Sequence, residues 1–145
     1  MAALLKTNML KVCIDANVYI SAIAFGGKSN KVIELALDKK FDLITSSAIL
    51  NEVMRNLVKK LEFSEAEVQE FLDELVQISS MYEPSGKIQL IPHPKDTLVL
   101  ETAILGNANV LVTGDKKDLL PLKLFNGIII EPPAAFLLRL EVLDI

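Results

Sequence analysis

The stretch Lys11-Val12-Cys13-Ile14-Asp15-Ala16-Asn17 decides the fold, because a short apolar run ends abruptly in a carboxylate. Consecutive apolar residues without polar alternation are typical of a strand that is buried on both faces. Such strands belong to parallel sheets covered by helices, and ligands bind at the carboxyl ends of those strands. The stretch therefore predicts a central strand with Asp15 at the ligand-binding edge of a sheet.

Apolar runs and helical periodicities alternate along the rest of the chain. Further strands are predicted at Asp42–Thr45, Val110–Thr113 and Gly127–Glu131, with a short edge strand at Lys87–Ile91. A first helix is predicted at Asn17–Ala24. Four more are predicted to begin at N-cap residues, namely Ser29, Ser46 or Ser47, Ser64 (in a capping box with Glu67) and Asp96, the last of them ending at Leu105. A final helix is predicted after Pro132-Pro133. The pattern predicts a three-layer α/β/α sandwich whose central, mainly parallel sheet has about 4–5 strands.

Composition favours one core-rich globular domain over residues 1–145, with residues 1–9 as a loose N-terminal extension. The chain is 51% hydrophobic and 23% charged. Its apolar runs are interrupted well before the ~18 residues of a membrane span, and no signal peptide is recognised, so we expect a cytoplasmic protein with no membrane partner. The net charge is −4, whereas most nucleic-acid-binding proteins carry a net positive charge. Any RNA contact therefore requires a local basic patch.

Four acidic side chains are expected at one edge of the sheet. Asp15 ends the first strand, and Asp115 follows the strand Val110–Thr113. Asp96 is expected to begin the helix that precedes this strand. Glu52 lies about two turns into the helix after the second strand, facing away from its apolar stripe. Acids from four separate segments can thus converge on one cleft.

Clustered carboxylates repel one another, and a cluster of this kind is stable when it binds a hard cation or shares protons. Oxygen ligands suit Mg²⁺ or Mn²⁺, and the chain has no cysteine and histidine set for zinc. Each acid also has an ordinary structural explanation, which the residues alone leave open. Asp15 can be a solvated strand end, Glu52 can pair with Arg55 or Asn56, Asp96 can be a helix cap, and Asp115 can be a turn residue.

The residues that flank these acids resemble the motifs of the PIN-domain (PilT N-terminus) family. The resembling segments are Val12–Ala22, Ser46–Val53, Pro94–Ala103 and Ala108–Leu120, followed by a strand, a proline and a helix with Phe at Gly127–Phe136. The resemblance covers nearly the whole chain in the right order. It is closest to the branch of toxin components of toxin–antitoxin systems.

This resemblance implies an endoribonuclease in which Asp15, Glu52, Asp96 and Asp115 are the catalytic ligands of one or two Mg²⁺ or Mn²⁺ ions. A metal-activated water would hydrolyse the RNA phosphodiester. Asn17, Thr113 and Asp118 would be supporting polar residues. The family also implies an antitoxin protein that fills the cleft, and a homodimer.

The chain departs from its relatives at two positions. Relatives often carry Asp where this chain has His93, and often an acid where it has Thr97. We expect His93 to be a surface loop residue, with a proton carrier or a phosphate contact as the alternatives. The candidate RNA-contacting cations are Arg55, Lys59, Lys116 and Lys117, and the candidate base-stacking aromatics are Tyr19, Phe25 and Tyr82.

Three other kinds of protein share parts of this pattern. A haloacid-dehalogenase phosphatase expects a second Asp where this chain has Asn17. A receiver domain of two-component signalling expects adjacent acids near its first strand, and Asp15 has no such neighbour. A PIN fold that serves as an RNA-binding or regulatory module, with little or no nuclease activity, remains the alternative.

Overall fold

Six strands form one sheet in the computed structural model, which describes residues 9–143. The strands are β1 (Lys11–Ile14), β2 (Asp42–Thr45), β3 (Ser79–Met81), β4 (Val110–Val112), β5 (Leu124–Phe125) and β6 (Ile128–Glu131). Their order is β3-β2-β1-β4-β6-β5, and only β5 runs antiparallel to its neighbour. The predicted α/β sandwich with a mainly parallel sheet is confirmed, with six strands rather than four or five.

Helices cover both faces of this sheet. They are α1 (Ala16–Phe25), α2 (Gly27–Leu37), α3 (Ser47–Arg55), α4 (Glu65–Ile78), α5 (Pro94–Leu105) and α6 (Pro133–Val142). The strand β1 shows why two helical layers are needed, since Val12, Cys13 and Ile14 are all fully buried although neighbouring side chains point to opposite faces. Burial also raises the pKa of the Cys13 thiol, so this side chain packs in the core as a small hydrophobe.

The two outer strands could not be read from apolar runs. The predicted edge strand Lys87–Ile91 is wrong: this segment lies between Gly86 and Pro92 and has no regular structure. The edge is formed by β3, which follows α4 directly and pairs with β2 through Ser79 and Ser80. Its polar sequence carries no strand signal, and the two residues of β5 are too few to carry one.

Two helices begin differently from the prediction. Gly26, at φ 74°, is the N-cap of α2, so Ser29 lies inside the helix. The helix α5 begins at Pro94 with His93 as its N-cap, so the predicted Asp96 cap is wrong. Proline is well suited to the first helical position because its fixed φ matches the helix and its missing N–H has no helical partner to lose. Asp96 instead lies in the first turn of α5.

The connections of the sheet place a crevice between β1 and β4. From β1 the chain moves to β2 on one side, and β4 then pairs with β1 on the other side. Such a switch in strand order separates the loops that follow the two strands, and ligands bind in the resulting crevice. The amide of Asp15 donates to the carbonyl of Val112 at 2.9 Å, which holds the two strand ends together.

Within residues 9–143 no helix has the length and apolar character to cross a membrane. The predicted N-terminal extension lies outside the described residues except for its last position, Met9, and the neighbouring Leu10 packs against the core. That residues 1–145 form one domain stays a prediction.

Phe136 on α6 should be a main contributor to stability. Its ring is fully buried and packs edge-to-face on Phe41, with ring centroids 5.2 Å apart. We expect Phe136→Ala to lower the free energy of unfolding by about 3–5 kcal/mol, through lost burial and the cavity left behind. The control Phe25→Ala removes a ring that is 82% exposed, and should change stability by less than about 0.5 kcal/mol. If urea unfolding showed equal losses of free energy for Phe136→Ala and Phe25→Ala, the packing of Phe136 against Phe41 would be contradicted.

Candidate metal centre

Asp15 is the buried acid at the crevice. Its Oδ1 accepts from the amide of Ala16 at 2.7 Å, which caps α1. Its Oδ2 accepts from the Thr113 hydroxyl at 2.8 Å and from the Asn17 amide at 3.2 Å. Burial raises the pKa of Asp15, and the charges of Asp115 and Glu52 raise it further, although the hydrogen bonds from Thr113 and Ala16 oppose this shift.

Thr113 and Asn17 tie the loop after β4 to the end of β1. The Thr113 hydroxyl donates to Asp15 and accepts from the amide of Asp115 at 3.0 Å. The Asn17 side-chain oxygen accepts from the amide of Gly114 at 3.0 Å. Asp115 then uses its Oδ1 to accept from the amides of Lys117 and Asp118, at 3.0 and 3.1 Å. The carboxylates of Asp15 and Asp115 are therefore placed by one connected network.

Asp96 enters the same region from the first turn of α5. Partial burial raises its pKa to about 6, and the negative charges of Asp115, Asp15 and Asp118 add to the shift, while His93 opposes it. Part of the increase therefore comes from repulsion by the neighbouring carboxylates. A cation among them would relieve the repulsion.

Glu52 is the one predicted ligand that the protein itself neutralises. Arg55 and Lys95 form ion pairs with its carboxylate, and the Asn56 amide donates to Oε1 at 2.8 Å. Partial burial raises the pKa of Glu52, but these hydrogen bonds and positive charges together bring it below its usual value.

All four acids line one cleft of about 630 Å³. Its other polar lining residues are Asn17, Asn51, Arg55, Asn56 and Lys95, and its apolar side is formed by Ala16, Ile20, Ala48, Ile49, Leu98 and Val99. Among residues 9–143, no three of the four acids bring ligand atoms within 4.8 Å of one another; the group that does is His93, Asp96 and Asp118. The four predicted ligands thus line the same cleft, but their oxygen atoms are not yet close enough together to coordinate a single ion.

The donor set of the cleft fits Mg²⁺ or Mn²⁺. Every candidate ligand is a carboxylate or amide oxygen, which is the donor type that hard divalent cations prefer. The raised pKa values of Asp15 and Asp96 point the same way, since both groups would ionise more easily beside a cation.

Comparison with known proteins identifies the family. A family model described as PIN domain matches residues 11–117, which include all four acids. The chain belongs to the PIN domain family. A solved structure of VapBC2 from Rickettsia felis, bound to a DNA fragment from its promoter, is similar in fold, with a TM-score of 0.59 and 20% sequence identity over 85% of this chain and 98% of that chain. No curated protein matches the chain.

Several residues of this PIN domain lie elsewhere than the sequence indicated. Asp118 does not line the cleft, and one of its carboxylate oxygens lies near ligand atoms of His93 and Asp96. His93 is exposed at the end of the loop before α5, as expected of a surface loop residue. Tyr19 is fully buried and cannot stack on a base. Of the predicted RNA-contacting cations, Arg55 lines the cleft, whereas Lys59, Lys116 and Lys117 are exposed outside it.

Sequence reasoning missed Lys95 and the role of Thr97. Lys95 lies in the first turn of α5, where a positive charge is unfavourable beside the positive end of the helix dipole, and this was the available signal. The buried Thr97 hydroxyl donates to the carbonyl of Ile91 at 3.0 Å, which secures the loop before α5. The position where relatives often carry an acid is therefore structural in this chain.

Removing the Asp96 charge should stabilise the metal-free PIN domain. The folded protein binds the Asp96 proton more tightly than the unfolded chain, so stability is lost as pH rises through about 6. We expect Asp96→Asn to raise the free energy of unfolding at pH 7.5 by about 1 kcal/mol after allowance for solvent screening. The gain should vanish near pH 4.

Urea unfolding in EDTA at the two pH values measures this difference. The control Asp73→Asn removes an exposed carboxylate on α4, outside the cleft, and should leave stability nearly unchanged at both pH values. A loss of stability in Asp96→Asn at pH 7.5 would show that this carboxylate has a structural role.

Proposed function

We propose that this PIN domain is a Mg²⁺- or Mn²⁺-dependent endoribonuclease that hydrolyses RNA phosphodiester bonds. The observation that carries the proposal is the position of Asp15, Glu52, Asp96 and Asp115 around one cleft at the strand-order switch. These four acids would hold one or two ions. When bound, the ions would supply an activated water nucleophile and would stabilise the charge that develops on the phosphodiester oxygens.

The protein's own residues would fix the geometry of this site. Thr113 and Asn17 hold Asp15 by two hydrogen bonds, so its carboxylate cannot rotate freely. The amides of Lys117 and Asp118 orient Asp115. Preorganised charges of this kind need little rearrangement when the substrate binds, which is what transition-state stabilisation requires.

Arg55 and Lys95 would position the RNA backbone. Both cations line the cleft beside the acids, and both are substantially exposed. A phosphate that engages them would draw them away from Glu52, and Glu52 would then be free to act as a ligand. In this way a protein of net charge −4 can present positive charge where the substrate lies.

The toxin-like motifs and the fold shared with VapBC2 support a role as the toxin component of a toxin–antitoxin system. In this proposal the protein acts in the cytoplasm as a homodimer, and an antitoxin protein occupies the cleft. The ion pairs of Glu52 favour a second candidate, a PIN-fold module that binds RNA with little or no cleavage. In that case Glu52 keeps Arg55 and Lys95 and does not become a ligand.

Cleavage of mixed single-stranded RNA in Mn²⁺, Mg²⁺ and EDTA tests the nuclease. We expect metal-dependent cutting by the wild type and at least about a hundredfold loss in Asp15→Asn, which keeps an oxygen for the α1 cap but loses the ligand charge. The control Asp38→Asn removes an exposed charge outside the cleft and should cut normally. RNA binding without cutting by the wild type in any metal would favour the second candidate.

Lys95 and Lys59 form a matched pair for the RNA contact. Lys95 lines the cleft, whereas Lys59 is an exposed lysine in the widened π-helical turn Asn56–Lys60 that follows α3. We expect Lys95→Ala to weaken RNA binding and to reduce the slope of log affinity against log salt by about 0.7. Lys59→Ala should change the slope less. Equal effects of the two substitutions would place the RNA path outside the cleft.

A further inference from the structure

A second group of ligand-type side chains lies beside the cleft, at the start of α5 and in the loop after β4. One ligand atom from each of His93, Asp96 and Asp118 lies within 4.8 Å of the other two. His93 and Asp118 do not line the cleft, whereas Asp96 belongs to both places. The group therefore shares one carboxylate with the four-acid site but is otherwise separate from it.

The distance between His93 and Asp118 suits a shared cation better than a short charge-assisted hydrogen bond. His93 Nε2 lies 3.4 Å from Asp118 Oδ1. A charge-assisted bond between these atoms would be about 2.7–2.9 Å long. Two ligands that each lie about 2.0–2.1 Å from a tetrahedral ion are separated by about 3.4 Å.

The backbone around these residues is well fixed. Pro92 and Pro94 flank His93, which is the N-cap of α5. The amide of Asp118 donates to Asp115 Oδ1, and the next residue, Leu119, is fully buried. The side chains of His93 and Asp118 are 51% and 24% exposed, so an ion can reach them from solvent.

We propose that His93, Asp96 and Asp118 form a cation subsite that takes a divalent transition ion, such as Zn²⁺ or Mn²⁺, in preference to Mg²⁺. The preference follows from the imidazole nitrogen, which suits transition ions, whereas Mg²⁺ strongly favours oxygen ligands. Three protein ligands leave a coordination position open for water or for a phosphate oxygen.

This subsite goes beyond the proposed nuclease, because ion binding here does not require RNA cleavage. It would nevertheless affect the cleft, since Asp96 is common to both places. A positive charge at the subsite would offset the repulsion that Asp96 experiences from Asp115 and Asp15.

The single histidine of the chain makes a direct test possible. The imidazole signals of His93 can be followed by carbon–proton NMR of the metal-free protein, after removal of any purification tag. We expect equimolar Zn²⁺ to shift these signals strongly, because the ion binds the imidazole nitrogen. A large excess of Mg²⁺, which the cleft carboxylates can hold without the imidazole, should shift them far less. In Asp118→Asn the dissociation constant for Zn²⁺ should rise at least about tenfold.

The control Glu52→Gln alters the cleft but none of the subsite ligands, and its His93 response to Zn²⁺ should equal that of the wild type. Amide spectra of each variant check that it is folded. An absent Zn²⁺ response, or an unchanged affinity in Asp118→Asn, would overturn the subsite. RNA cleavage by the same samples separates the two proposals: cleavage without a His93 response refutes only the subsite, and a response without cleavage refutes only the nuclease.

Discussion

The hydrogen bond from the Thr113 hydroxyl to Asp15 is the constraint on which the site depends. It joins residues at the ends of β1 and β4 that are 98 positions apart in the chain. Because Asp15 is buried, its carboxylate needs such partners to remain in place, and Thr113 and Asn17 provide them. The same network sets the loop that carries Asp115, so the arrangement of the cleft follows from how two strands meet.

The negative charges of the cleft acids are treated in two different ways by their surroundings. Burial and mutual repulsion raise the pKa of Asp15 and Asp96, so both carboxylates are costly to ionise in the absence of a cation. Glu52 has cationic and amide partners that lower its pKa. The protein thus makes Asp15 and Asp96 harder to ionise than free carboxylates, and it holds Glu52 in ion pairs with Arg55 and Lys95. Perturbed ionisable groups that cluster in a cleft are a common property of functional sites.

Much of the fold and of the candidate site could be predicted because the signals are local. The run Val12–Ile14 that ends in Asp15, and the Ser46 and Ser64 caps, are each visible within a few residues. The edge strand β3 and the pairing of Lys95 with Glu52 could not be predicted. Both features depend on which segments pack together in the folded protein. The residues Ser79–Met81 also lack the apolar pattern from which a strand is usually predicted. The position of His93 beside Asp118 is a long-range contact of the same kind.

A crystal soaked in Mn²⁺ and measured at the manganese absorption edge tests the central claim most directly, namely that the acids of the cleft form a cation site. We predict an anomalous peak between the carboxylates of Asp15, Asp96 and Asp115, with Glu52 turned away from Arg55 and Lys95 toward the ion. A soaked crystal without a peak in the cleft, with Glu52 still paired to both cations, would contradict the account.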